Sequence, residues 1–210
     1  MTGNQMITSM GLRLEDPAQS VFTQSAVLDA LNQSQRTVCN LVHHSYLVEL
    51  QTIAEDKTVT SGKCAFSTAF GVDVNPLSNA ITGVYDETNN LWCTMIEASE
   101  VKSLENQYLN GDSTNPVAYV FADSIYVKPT TIGTIDVWYV KSPTDLTASN
   151  TECELNIALQ EMVLDFAEAQ LWRMDSKSDR ANSAYNSALT MVKTLNDKYA
   201  VDQGIGTRGR

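Results

Sequence analysis

With 210 residues and 43% apolar content, the chain is long enough for one packed domain, or for one core carrying an elaborated insert. Its 25 acidic and 14 basic side chains give a net charge of −11 with no Lys/Arg cluster, which excludes a protein that grips nucleic acid through its phosphates. Apolar runs fall well short of the roughly 20 residues of a membrane-spanning helix, and no basic stretch leads into an apolar run as in an export signal, so a soluble chain with no membrane partner, made in a cytoplasm, is expected.

Residues 1–20 contain Gly3, Gly11 and Pro17 and show no sustained period, so they read as an extended N-terminal arm. Its Met6, Ile7, Met10, Leu12 and Leu14 imply that the arm packs on something. A helix begins near Thr23 or Ser25, either of which can cap it. Its stripe is Val27, Leu28, Leu31, Gln35, Val38, Leu41 and Val42, and the helical region is expected over about 22–54 with a kink after His43. From Thr58 the period falls to two, and a β-rich insert is expected over about 58–143. Thr58 to Ser67 reads as one strand with a bulge at Gly62, and Phe70 to Val74 as another. Ala80 to Tyr85 and Leu91 to Ile96 flank the turn-forming run Asp86 to Asn90. Ser99 to Leu109 reads as a short helix. Three alternating segments, at Val117–Phe121, Ile125–Val127 and Ile135–Tyr139, read as an antiparallel meander with both faces partly apolar and covered.

The closing segment, about 152–199, reads as a helical hairpin. Leu155, Leu159, Met162, Phe166 and Ala169 form one stripe of the first helix; Ile157, Leu164 and Leu171, with Trp172 beside them, form another. A helix apolar on several sides must pack its own core with one face, and the second stripe is the expected contact between copies of the chain. Asp175 to Asp179 breaks the hairpin. Ala181, Ala184 or Tyr185, Ala188, Val192, Leu195 and Tyr199 return along the second helix. Residues 201–210, with three glycines, read as a flexible tail. The fold class expected is therefore α+β, a helical bundle of an N-terminal helix and a C-terminal hairpin with an inserted antiparallel β region and an extended C-terminal tail. Residues 21–200 form its one domain, between the 1–20 arm and the 201–210 tail.

Catalytic signatures are weak. His43 and His44 are neighbours, which on a helix point about 100° apart and do not readily share a metal. Ser45 and Asp56 complete a hydrolytic triad only on paper, without a nucleophile elbow or a glycine-rich oxyanion segment. Glu161, Asp165 and Glu168 fall at helical spacing and read as a solvated helix face. Cys39, Cys64, Cys93 and Cys153 form no C-x-x-C pair and read as reduced, buried residues. No nucleotide-binding glycine pattern occurs. Tyr126, Trp138 and Trp172 are candidates for a ligand platform, though aromatics in such settings are more often core or interface anchors. No catalytic residue, cofactor or metal is expected, and the chain reads as a non-enzyme.

Three segments in order resemble the head-to-tail adaptor (connector) proteins of tailed bacteriophages. They are VFTQSAVLDALNQSQRTVCNLV, PVAYVFADSIYVKPTTIGTIDVWYVKSPTDL and ELNIALQEMVLDFAEAQLWRMDSKSDRANSAYNSALTMVKTLNDKYA, together covering most of residues 21–200. The Thr58 to Ile96 stretch matches the family less well. The resemblance implies a structural virion protein of the neck, assembled in the host cytoplasm as a homo-oligomeric ring, usually a dodecamer. Such a ring joins the portal protein at the capsid vertex to tail or nozzle proteins and lines the channel through which genomic DNA passes without specific binding. It also implies that the tail, with Gly204, Ile205, Gly206, Thr207, Arg208 and Arg210, contacts the portal. The alternatives are another tail-completion or virion ring protein and a soluble hydrolase using His43 and His44.

Overall fold

A computed structural model describes residues 1–71, 80–105, 111–149 and 151–202. In chain order its elements are α1 (Gly3–Arg13), α2 (Gln24–Leu41), β1 (Gln51–Thr58), β2 (Lys63–Ala65), α3 (Phe66–Ala69), β3 (Ile81–Asp86), β4 (Leu91–Trp92), β5 (Thr94–Met95), β6 (Val117–Phe121), β7 (Ser124–Lys128), β8 (Thr134–Val140), α4 (Ile157–Met174) and α5 (Ser178–Asp202). Short 3₁₀ segments cover His44–Tyr46, Val48–Leu50 and Ala98–Glu105. The α+β class and the C-terminal helical hairpin are as the periodicities predict. The chain divides into a helical unit, Met1–Leu50 with Pro143–Arg210, and a β unit, Gln51–Ser142.

Within the helical unit, residues 3–13 are a helix and not an extended arm. Thr2 and Gln5 form a capping box, the Thr2 hydroxyl accepting from the Gln5 N–H and the Gln5 side chain accepting from the Thr2 N–H. Met6, Ile7 and Met10 share one buried face. The two glycines that read as breakers permit close packing: a Cβ on Gly3 would stand 2.2 Å from the Thr147 carbonyl oxygen. The following turn is organised by Asp16, whose carboxylate accepts from the N–H groups of Phe22, Val21 and Ser20 and from the Ser20 hydroxyl. These bonds, that of Phe22 foremost, hold the Asp16 carboxyl well below the usual range.

α2 starts where expected, with the Thr23 hydroxyl accepting from Ala26 N–H. It ends at Leu41, before the expected kink and far short of residue 54. Val42 leaves helical backbone, and two 3₁₀ turns lead into β1 at Gln51. α4, capped by Asn156, packs against α1, α2 and α5, which explains an apolar surface nearly all round.

Among the described residues the β unit holds two four-stranded sheets, ordered β1-β8-β3-β4 and β2-β7-β6-β5. Between them lies a core that includes Cys64, Val84, Ala118, Ile125, Val127, Ile135 and Val137. The β6–β7 hairpin forms as expected, and β3 turns back into β4, but the expected Leu91–Ile96 strand is split: Leu91–Trp92 pairs with β3, whereas Thr94–Met95 joins the other sheet parallel to β6. The third segment of the expected meander departs. β8 pairs with β1 and β3, not with β7. Alternation reveals a strand and its buried face but not its neighbour, and the 129–133 connection carries a fully buried Ile132 as the chain changes sheets. The expected Thr58–Ser67 strand is likewise two strands in different sheets. Ser61 and Gly62 both have positive φ and close a tight turn, and a Cβ on Gly62 would lie 2.9 Å from the Val127 carbonyl oxygen. Of the expected Phe70–Val74 strand, 72–74 fall outside the described residues, and Phe66–Ala69 just before it is one helical turn. The expected 99–109 helix is 3₁₀ over Ala98–Glu105, and 106–109 fall outside the described residues.

Candidate functional site: interaction surfaces

The second apolar stripe of α4 is not free for another copy. Leu164 and Leu171 have no solvent exposure and Trp172 almost none, whereas Ile157 is 76% exposed. α1, α2 and α5 all pack on α4, and Leu159, Phe166, Leu164 and Leu171 are all buried within a single helical unit. Trp172 meets Phe22 edge-on at 6.0 Å and donates its indole N–H to Glu168 Oε1 at 3.2 Å. Lys177 and Arg180 lie over its ring at 4.7 and 4.8 Å. Only Ile157, on the first turn of α4, remains from the expected face.

Of the three acids expected to line a solvated face, Glu161 is exposed, but Asp165 and Glu168 are partly buried. Arg13 of α1 reaches all three, at 2.6 Å to Glu161, 2.6 Å to Asp165 and 3.3 Å to Glu168. Asp165 also accepts from the Ser187 hydroxyl of α5 at 2.8 Å. The cluster is thus a clamp among α1, α4 and α5. Spacing along one helix could not reveal it, because the cation comes from a segment read as an arm.

His43 and His44 lie past the end of α2. Their ring centroids are 4.0 Å apart, and His43 stacks on Tyr199 at 3.6 Å. His43 Nδ1 and the Ser45 hydroxyl share a 2.9 Å hydrogen bond, but among the described residues no carboxylate bonds His43 and no cluster of His, Cys, Asp or Glu is arranged for a metal. Burial, with His44 nearby, lowers the His43 pKa. Asn196 of α5 closes the same corner: its side chain accepts from His43 N–H at 3.0 Å and donates to the Leu41 carbonyl at 2.8 Å. The Tyr46 hydroxyl donates to the Leu195 carbonyl. These contacts fix the end of α5, from which the tail continues; Gly204, Ile205, Gly206, Thr207, Arg208 and Arg210 lie outside the described residues. Asn196→Ala removes both bonds at the α2 terminus and is expected to cost about 1–2 kcal/mol, read as a lower thermal midpoint for the helical unit.

The three aromatics read as one platform are dispersed. Trp172 belongs to the helical unit. Tyr126 stacks on Tyr119 at 5.2 Å on the outer face of the second sheet, with Phe121 and Lys63 beside it. Trp138 lies on the outer face of the first sheet with Tyr85 and the 57%-exposed Trp92. Sequence reasoning passed over Tyr85 and Trp92; alternation about the 87–90 turn was the available signal. The four cysteines are free and buried as expected, and burial pushes the Cys39 and Cys93 thiols up to about 12.

No helix among the described residues is long and apolar enough to cross a membrane. No curated protein matches the chain. A family model described as SU10 adaptor protein matches residues 1–208. With the whole helix, β insert and helical hairpin inside that match, the chain belongs to the SU10 adaptor protein family of phage head-to-tail adaptors, a family of structural virion proteins.

Proposed function

We propose that copies of this chain form a ring of about twelve that joins the portal at the capsid vertex to the tail and lines the channel for genomic DNA. The family match over residues 1–208 carries this reading. A ring needs two different contact faces on each copy. With Leu164, Leu171 and Trp172 sealed, those faces draw on what the helical unit leaves exposed, including Ile157, Leu12, Val21, Val48 and Met174. The balance of −11 suits a channel through which DNA slides without adhering. The ring occupies the neck of the virion, and tail or nozzle proteins dock on its far side.

Of the tail expected over 201–210, residues 201–202 belong to α5, and residues 203–210 are assigned to the portal contact. They follow α5, whose end is held by Asn196 and Tyr199, and they bring Arg208 and Arg210 to a chain that is otherwise acidic. Exposed ion pairs contribute only about 0–1 kcal/mol each, so Ile205 and backbone hydrogen bonds supply the rest. The test mixes purified chain with portal protein and measures mass by native mass spectrometry. A multi-copy complex with portal is expected, and a persistent monomer that ignores portal overturns the reading. Deleting residues 203–210 is expected to leave the thermal midpoints unchanged and weaken attachment at least tenfold, since several contacts of this kind sum past 1.4 kcal/mol. Equal attachment by the truncated chain reassigns the portal contact elsewhere.

A further inference from the structure

We propose that the outer face of the β1-β8-β3-β4 sheet is a docking surface for a cationic, arginine-bearing segment of another protein. The proposal concerns a single copy of the chain and does not depend on ring assembly.

Strand register builds the face. Ile53, Trp138 and Gly83 stand opposite one another across β1, β8 and β3. Two residues along the strands, Asp136, Tyr85 and Trp92 do the same across β8, β3 and β4. Residues two apart on a strand share a face, so both rows point one way. The alternate residues Ala54, Val84, Ile135 and Val137 fill the core, which turns the rows outward. Trp92 and Trp138 lie 4.6 Å apart, and Tyr85 meets them at 5.4 and 6.4 Å. Gly83 makes the seat, since a Cβ there would stand 2.9 Å from Cζ3 of Trp92. Covering a strand glycine with a ring is a common way to stabilise a sheet, and it accounts for one face of one indole. It does not account for the exposed surface of Trp92 running on into Trp138, Tyr85 and the exposed Ile53.

Charge identifies the occupant. The apolar rows end in carboxylates. Asp136 accepts from the Asp56 N–H at 2.8 Å and meets Glu87, whose carboxyl is held above the usual range chiefly by its hydrogen bond to Asp136. Asp56, Glu87 and Asp136 form no ion pair among the described residues. Three other aromatic rings carry a cation from the chain itself: Lys63 over Tyr126, Arg173 over Tyr185, and Lys177 and Arg180 over Trp172. The Trp92–Trp138 cluster has carboxylates in that place. A guanidinium satisfies both halves of the site, stacking flat on an indole while bonding a carboxylate with two N–H groups. Nucleic acid is repelled by the same carboxylates, and a second copy of this face would set acid against acid.

The test is calorimetric titration of the full chain with an eight-residue peptide of alternating arginine and isoleucine, with the glutamate-for-arginine peptide as control. Binding of the arginine peptide alone is expected. Trp92→Ala is expected to weaken it about tenfold or more. The double variant Glu87→Gln with Asp136→Asn is expected to do the same with the aromatic cluster intact, which keeps the test meaningful if Trp92→Ala perturbs the sheet. Equal binding of both peptides, affinity unchanged in both variants, or no heat up to about 1 mM peptide overturns the proposal. So does a dimer in sedimentation that Trp92→Ala dissolves, which assigns the face to a second copy. Tighter peptide binding after deletion of residues 203–210 assigns it to the chain's own tail and overturns it likewise.

Discussion

Trp172→Ala is expected to destabilise the helical unit by about 3–5 kcal/mol, the range for removing a large aromatic from a packed interior. The ring is almost wholly buried, meets Phe22 edge-on and supports Lys177 and Arg180 on its face. The substitution empties that space and leaves Glu168 without its indole donor. Trp172→Phe retains most of the packing and loses the hydrogen bond, so a cost nearer 1 kcal/mol is expected. The measurement is the unfolding midpoint at two protein concentrations differing about tenfold. A large fall that is the same at both identifies an anchor inside one copy. If Trp172 instead bridged copies, Trp172→Ala would leave the dilute chain as stable as before and lower only the concentration-dependent part.

The reasons behind that contrast show what the amino-acid sequence makes legible. The 3.6-residue period marked α2, α4 and α5, and a polar cap at Thr23 marked the start of α2. Periodicity counts apolar faces without naming what covers each one. Leu164 and Leu171 were therefore visible as a second face of α4, while its burial within the same copy was not. The same gap separates the strands from their sheets. Ile135, Val137 and Tyr139 declared β8, but its partners β1 and β3 lie far away in the chain, at residues 51–58 and 81–86, and alternation within one strand does not name them. α1 was missed for the opposite reason. Gly3 and Gly11 read as breakers when only backbone propensity is weighed, and the contact at the Thr147 carbonyl that requires Gly3 lies far along the chain. The aromatic face over Gly83 needed three strands in register before Tyr85, Trp92 and Trp138 became one surface.

Arg13→Ala is expected to cost the helical unit about 2–4 kcal/mol, short of the full cost of breaking a deeply buried pair because the clamp keeps some solvent access. The Arg13 side chain is 27% exposed and that of Asp165 only 14%, so charge is poorly screened there. Without the cation, Glu161, Asp165 and Glu168 face one another along adjacent turns of α4 with no counter-charge from α1. By contrast Arg36–Asp145, about half exposed on both sides, is expected to contribute no more than about 1 kcal/mol. Two readouts separate the clamp from a general loss of packing. Raising salt from low to about 1 M should recover part of the Arg13→Ala deficit, because repulsion among the carboxylates is screened over a few ångströms at that strength. Adding Asp165→Ala to Arg13→Ala should cost less than Asp165→Ala alone, since the partly buried carboxylate that lost its partner is then gone. Amide exchange in residues 3–13 should quicken in the single variant as α1 loosens from α4. Unchanged exchange there, with a salt-independent midpoint, would mean that the capping box and the Met6, Ile7 and Met10 face hold α1 unaided, and that the three acids tolerate one another through water.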